Sequence, residues 1–328
     1  MPNDALNQFG AVIIGRNEGE RLKRCLFSVS EAAVVIYVDS GSTDGSVTWA
    51  RDHGFIVIEL DASIMFTAAR ARNAGFSYLR KAAPDTQFVQ FLDGDCEMDH
   101  AWPLQAISFL KRHRDVCAVF GRRRERYPDR SIYNRLCDSE WNVPVGDAKA
   151  FGGDVMMRAS VLDDVGGYRD DLIAGEEPEL CVRMRTAGWR IHRLDYEMTL
   201  HDAAMLRFGQ WWRRTVRSGY AFAQGAELHG ASPERHWVWE TRRAFVWGIL
   251  LPLTCVTALA AFGVWGFAAC MVYPLQLVRR MGRQTGSLRS RAEVSFFELL
   301  ARFPESVGLL RYYRDRLRGR IGSLIEYK

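Results

Sequence analysis

The 328-residue sequence has no CxxC pair among its seven cysteines (25, 96, 117, 137, 181, 255, 270) and no metal-ligand spacing built on them. An odd, scattered set in a chain of this length points to a reducing compartment rather than a disulfide framework. There is no GxGxxG after the first apolar run and no GxxxxGK[ST] anywhere, which removes the main support for a dinucleotide or P-loop site. Apolar content is high and there is no repeat period, so collagen, coiled coil and bulk disorder are excluded. The opening MPNDALNQFG lacks a basic stretch leading into an apolar one. No secretory signal is therefore expected, and the catalytic body is expected in the cytosol. A mean hydropathy of -0.16 rules out a protein embedded in membrane throughout. Basic excess is also missing from most of the chain: residues 279–328 hold 12 Lys/Arg and 5 Asp/Glu, a net of +7 against +5 for the whole, so residues 1–278 sum to -2. A chain-wide nucleic-acid surface is not expected.

The longest absence is of charge, from Ala244 to Val278, 35 consecutive residues. One bilayer crossing takes about 20 residues, and a soluble helix of this length with no polar face would be unusual. A pair of buried core helices is the alternative. Arg235, Arg242 and Arg243 precede the segment, and Arg279, Arg280 and Arg283 follow it. Positive charge at both ends favours an even number of passes, as a hairpin turning near Gly263–Gly266. Each arm would hold about 15–18 residues, roughly 22–27 Å of helix, short for about 30 Å of hydrocarbon. A thin two-pass hairpin and a re-entrant one both fit. The tail beyond mixes Phe296, Phe297, Leu299, Leu300 and Phe303 with RYYRDRLRGR (311–320), which suits an interfacial helix on an anionic leaflet.

Before the apolar segment, strand-like and helix-like stretches alternate. AVII (11–14), VVIYV (34–38), FIVIEL (55–60) and FVQFL (88–92) are continuously apolar, and the stretches between them carry helical spacing, such as Leu22, Cys25, Leu26 and Val29. That pattern predicts a mainly parallel sheet with helices on both faces. Ligands in open α/β sheets sit outside the carboxyl ends of the strands, where Asp39 and Asp93 fall. Without a glycine phosphate loop, something else must neutralise phosphate, and DGDC (93–96) offers two carboxylates around a tight turn. Mg²⁺ or Mn²⁺ bridging protein and diphosphate oxygens is the expected arrangement.

These residues carry a resemblance. AVIIGRNEGERLKRCL, YVDSGSTDGS (37–46), ARARNAGF (69–76), DGDC, FGGD (151–154), GEEPELCVRMR (175–185) and QWWRR (210–214) resemble, in order, the motifs of glycosyltransferase family 2, which has the Rossmann-like GT-A fold. The later segment resembles the membrane-attached branch found with bacterial surface polysaccharides. The resemblance implies a GT-A domain over 1–230, a membrane-associated hairpin over 231–280 and a basic amphipathic tail over 281–328.

It also implies roles. An inverting sugar transfer needs a base on the acceptor hydroxyl and charge stabilisation on the departing diphosphate. The second carboxylate of the acidic pair, Glu177, would be the base, with Glu176 the alternative; acidic residues in a first helical turn also simply favour the helix dipole. Asp39 would hold the nucleobase, with Glu18 near base or ribose. Asp95 would be the principal metal ligand and Asp93 would support ribose or metal. His201 is a further metal ligand, or else a surface or capping histidine. Arg213 would offset diphosphate charge, and Arg72 would contact the donor unless solvated. Gly152, Gly153 and Asp154 would form the acceptor-side loop, and Trp211 or Trp212 would line that side. Position 214 is Arg where the full QxxRW motif has Trp, which argues against processive polymer synthesis. RRRERY (122–127) reads as an exposed basic turn, and His192 as structural.

The expected activity is inverting transfer from a nucleotide-diphosphate sugar to a lipid-linked glycan at the cytoplasmic face of the plasma (inner) membrane. Transfer to a polyprenyl monophosphate is a second enzyme reading, and a catalytically silent GT-A membrane scaffold a third.

Overall fold

The computed structural model of the protein describes residues 8–319; the closing LIEYK (324–328), which also resembles the membrane-attached branch of the family, lies outside them. The described chain divides into two compact units, at Ala204/Met205.

The first unit is built on a nine-stranded sheet. Its parallel half comprises β1 (Phe9–Gly15), β2 (Val34–Asp39), β3 (Ile56–Glu59) and β4 (Phe88–Asp93) in the order β3-β2-β1-β4. Phe9, Ala11, Val12 and Ile13 are all fully buried. Side chains pointing to opposite faces of a strand are thus both covered, the arrangement that the continuous apolar runs require. Helix α1 (Glu20–Ser28) and helix α2 (Ser46–Asp52) follow β1 and β2, and α3 (Ala68–Ala82) follows β3. Gly75 on α3 lies so close to Val12 and Val38 that any Cβ there would overlap them.

The other half of the sheet is mixed and largely escapes a hydrophobic pattern. Beyond β4 come β8 (Val155–Arg158, antiparallel), β6 (Val116–Glu125) and β9 (Arg190–His201, parallel to β6); β5 (Cys96–Met98) then closes that end. The short β7 (Gly146–Ala148) also pairs with β9. Helix α4 (Trp102–Arg112) follows β5, α5 (Ile132–Glu140) follows β6, and α6 (Ala159–Asp164) and α7 (Glu176–Thr186) separate β8 from β9. The stretch RRRERY is not an exposed turn: residues 122–125 are the last part of β6, with Arg122 and Glu125 buried. Their charges are tolerated because each is paired, Arg122 with Asp138 at 2.8 Å and Glu125 with the backbone N–H groups of Tyr127 and Ala203.

The second unit is helical. Helix α8 (Phe208–His229) packs along α14 (Arg302–Leu317). Gly308 meets the Val216 carbonyl and Gly219 the Glu305 backbone so closely that neither position has room for a Cβ. Part of the basic tail is therefore core: Pro304, Glu305, Gly308, Leu309 and Tyr312 are buried, whereas Leu310 and Leu317 are exposed. The apolar segment runs from α9 (Val238–Phe245) through Val246–Leu250 into α10 (Leu251–Phe262), turns at Gly263–Gly266, and returns through α11 (Phe267–Cys270) and α12 (Val272–Met281). Tyr273 Oη donates to the Trp247 carbonyl at 2.8 Å, which ties the arms together. A further helix, α13 (Leu288–Leu300), precedes α14.

Candidate active site

Two loops meet at the carboxyl ends of β1 and β2. The Asn17 N–H donates to Ser42 Oγ at 2.9 Å, the Thr43 N–H to Asn17 Oδ1 at 2.8 Å, and the Gly19 N–H to Asp44 Oδ2 at 3.0 Å. Asp39 builds the second loop. Its Oδ2 accepts the N–H groups of Gly41 and Ser42, both at 2.8 Å, and its Oδ1 accepts Tyr37 Oη at 2.6 Å. Glu18 is buried beside these loops and ion-paired with Arg21 at 2.7 Å.

The DGDC turn leaves β4 next to them. Cys96 and Glu125 stand in register with His201 on either side of β9, which brings Asp95, His201 and Glu125 together. His201 Nε2 lies 3.2 Å from Asp95 Oδ1. Its Nδ1, buried and without a hydrogen bond, faces Glu125 Oε2 at 3.7 Å. The Trp141 ring stands edge-on to the imidazole, with centroids 4.7 Å apart. His201 is thus neither a surface nor a capping residue. A histidine with one nitrogen towards a carboxylate and the other towards a candidate ligand is the usual setting of a metal-bound imidazole.

A second group of carboxylates adjoins the first. Arg123, the next-to-central residue of the misread RRRERY stretch, stands between Asp93 Oδ2 at 3.3 Å and Asp154 Oδ2 at 3.5 Å. Asp154 also accepts Thr199 Oγ1 at 2.7 Å. Expected in an acceptor loop, Asp154 is instead buried beneath the DGDC turn, where its Oδ1 takes the Asp93 N–H. Burial alone would raise the Asp93 pKa, but the Arg72 and Arg123 guanidiniums outweigh it and hold the carboxyl below its usual range.

Arg72 is not solvated. Its guanidinium, 2% exposed, reaches Glu176 at 2.9 Å, Asp93 at 3.1 Å and Glu177 at 3.1 Å. The neighbouring motif residues explain themselves in the same way. Asn73 accepts the Tyr168 N–H and donates to the Tyr168 carbonyl and Asp170, fixing the loop that leads into α7. Gly153 leaves the space that Arg72 and Asp93 fill: a Cβ there would stand 2.5 Å from Asp93 Oδ2 and 2.8 Å from Arg72 Nη2. Around Gly152 the space is open.

Glu176 and Glu177 open α7 but differ in setting. The Glu176 side chain is 5% exposed and the Glu177 side chain 15%. Burial first, then the adjacent Glu176, pushes the Glu177 carboxyl up to about 7, with Arg72 opposing the rise. A carboxyl poised there suits a general base near neutral pH.

Six carboxylates (Asp93, Asp95, Glu125, Asp154, Glu176, Glu177) thus cluster around two guanidiniums, an excess of negative charge that fits a divalent cation. The ligand atoms of Asp95, Cys96 and His201 lie within 4.8 Å of one another, as do those of Asp93, Cys96 and Asp154. The second set already has Arg123 between its carboxylates, so Asp95 with His201 is the better cation position. Burial raises the Cys96 thiol well above its usual range, with Arg123 opposing. It stays protonated and is a poor ligand for a hard cation.

Residues 11–154 match the model of glycosyl transferase family 2. This stretch, less than half of the chain, is similar to that family. Among curated proteins, the glycosyltransferase AglE of Haloferax volcanii is 26% identical over 220 residues, 62% of this chain and 69% of that one. The pre-mycofactocin glycosyltransferase of Mycobacterium tuberculosis is 27% identical over 208 residues, 58% of this chain and 42% of that one. Of solved structures, the mannosyltransferase PcManGT from Pyrobaculum calidifontis, in complex with GDP-Man and Mn²⁺, superposes with a TM-score of 0.59 at 18% identity, covering 92% of this chain and 87% of that one. S. aureus TarS 1-349 with UDP-GlcNAc gives 0.52 at 13% identity over 95% and 92%. The chain therefore has a GT-A fold, with the DGDC turn inside the residues matched by the family model and α7 and His201 beyond them.

The remaining expected residues belong to the second unit. Gln210 caps α8 by accepting the N–H groups of Leu206 and Arg207. Trp211 is buried edge-on against Phe297, so its ring is packing rather than a site wall. Trp212 is half-buried and Arg213 exposed. Sequence reasoning missed Arg123, Glu125, Trp141 and Thr199. A charged run directly before an aromatic, in register with a histidine strand, was their only trace.

Proposed function

We propose that the protein is a membrane-attached inverting glycosyltransferase that moves a sugar from a nucleoside diphosphate to a hydroxyl of a lipid-linked glycan in surface-polysaccharide synthesis, working at the cytoplasmic face of the membrane. The observation that carries this reading is the combination, in one unit, of the Asp95–His201 pair with a separate, proton-poised carboxylate, Glu177. Mn²⁺ or Mg²⁺ held by Asp95 and His201, with Asp93 beside them, would offset the charge of the departing diphosphate. Glu177 takes the acceptor proton as the hydroxyl oxygen attacks the anomeric carbon and the bond to diphosphate breaks. Glu176 is the more enclosed partner of Arg72, and Arg72 holds Glu177 in place. The Asp39 loop lies where a nucleobase would stack, at the carboxyl end of β2. Neighbours of this fold occur with GDP-Man and with UDP-GlcNAc, so a nucleotide-sugar donor is the expected class. The apolar hairpin, which leaves Leu253, Val256, Phe262, Trp265 and Phe267 exposed, supports an acceptor that resides in a membrane.

The test is transfer from UDP- and GDP-sugars to a membrane lipid extract, with Mn²⁺ or EDTA. The expected product has inverted anomeric configuration and is lost with EDTA; retained configuration, or transfer unaffected by EDTA, contradicts the proposal.

A further inference from the structure

The apolar segment turns back early. Gly263 lies 20 positions after Arg243, but Arg279 only 16 positions after Gly263. At 1.5 Å per residue the returning arm reaches at most about 24 Å, against about 30 Å of hydrocarbon. The turn itself, Phe262-Gly263-Val264-Trp265-Gly266-Phe267, holds no charged or hydrogen-bonding side chain except the Trp265 indole. Its side chains point outward: Val264 is 73% and Trp265 83% exposed. At its two ends the backbone bonds within the segment: the Gly263 N–H donates to the Leu259 carbonyl and the Phe267 N–H to the Val264 carbonyl. The exposed hydroxyls of the first arm do likewise, Thr254 to the Leu250 carbonyl at 2.9 Å and Thr257 to the Thr254 carbonyl at 3.0 Å. A turn that emerged into water on the far side would have no need of this internal satisfaction, whereas a turn inside hydrocarbon must have it. Both ends carry arginines, Arg242 and Arg243 on one side and Arg279, Arg280 and Arg283 on the other, which complements the anionic head groups of a single leaflet.

We propose that this hairpin is a re-entrant wedge whose tip stays within the hydrocarbon of the bilayer, so that the chain does not cross it. The inference rests on the membrane attachment proposed above. It gives the protein a lipid-binding surface made by Leu253, Val256, Phe262, Val264, Trp265 and Phe267, with both flanking segments on one face.

The experiment adds the full-length protein to preformed vesicles containing anionic lipid. Val264→Cys at the tip and Arg283→Cys at the flank are exposed to a membrane-impermeant maleimide, either outside or trapped in the lumen. The wild-type chain, whose native cysteines are largely buried, supplies the background. Flotation of the vesicles reports attachment. The expected result is co-flotation, outside labelling of Arg283→Cys, and labelling of Val264→Cys only after detergent. Lumenal labelling of Val264→Cys overturns the wedge and leaves attachment standing. Outside labelling of Val264→Cys, or failure to float, removes attachment itself. Trp265→Cys repeats the reading at the adjacent exposed position, should Val264→Cys misfold.

Discussion

In the proposed transfer, Glu177 is the residue on which the chemistry turns. The folded carboxyl keeps its proton up to about pH 7, whereas an ordinary glutamate loses it near 4.5, so the native state holds the extra proton in between. Its stabilising contribution is present below about pH 4.5 and is lost as pH rises through about 7. Activity runs the opposite way: transfer should increase with pH through about 7 as the base form appears. Glu177→Gln should lower kcat by about 10²–10⁴-fold while leaving donor affinity nearly intact, a split that steady-state kinetics with a binding titration reads directly. Glu125 makes a second prediction. Because it faces the imidazole nitrogen turned away from Asp95, Glu125→Ala should weaken Mn²⁺ affinity by about 10–100-fold, measured calorimetrically. An unchanged affinity would mean that His201 is not a ligand. The sequence places Asp39 and Asp93 by their positions at strand ends and Asp95 by the DGDC turn, while Glu177 is implied by the family resemblance. Glu125 and Arg123 were hidden because a strand that buries charges shows no hydrophobic alternation to distinguish it from an exposed basic run.

At the scale of elements, β1 to β4 were legible because each is apolar on both faces. The strands β5, β7 and β8 were not, being three or four residues long. β6 was not either, since its register with β9 shifts at Val116/Ala118, Phe120/Arg122 and Arg122/Arg123; bulges of this kind break the period that a pattern search relies on. The same elements set two close approaches that substitution should expose. Gly153→Ala would place a methyl against Asp93 and Arg72 and should cost about 1–3 kcal/mol together with nucleotide binding. Gly308→Ala, where α14 meets α8, should cost a similar amount while leaving nucleotide binding by the first unit intact. Thermal melts of both variants, run beside nucleotide titrations, distinguish the two effects; loss of nucleotide binding in Gly308→Ala would contradict this separation.

For the whole molecule, a charged α/β unit carries the candidate chemistry and a helical unit holds the apolar hairpin, to which the proposed function assigns the membrane contact. The sequence marked the hairpin by its lack of charge and its turn by Gly263–Gly266, because hydropathy and glycine are local signals. It did not show that the basic tail is partly core, since Gly219 and Gly308 act through a long-range backbone contact. The central claim, a cation-dependent nucleotide site at the DGDC turn, is tested most directly by calorimetric titration of UDP and GDP into the detergent-purified protein. Wild type and Asp95→Asn are each measured with Mn²⁺ and with EDTA. The account predicts that wild type binds one nucleotide with Mn²⁺, loses it with EDTA, and that Asp95→Asn fails to bind. Equal binding with EDTA, or by well-folded Asp95→Asn, would contradict it.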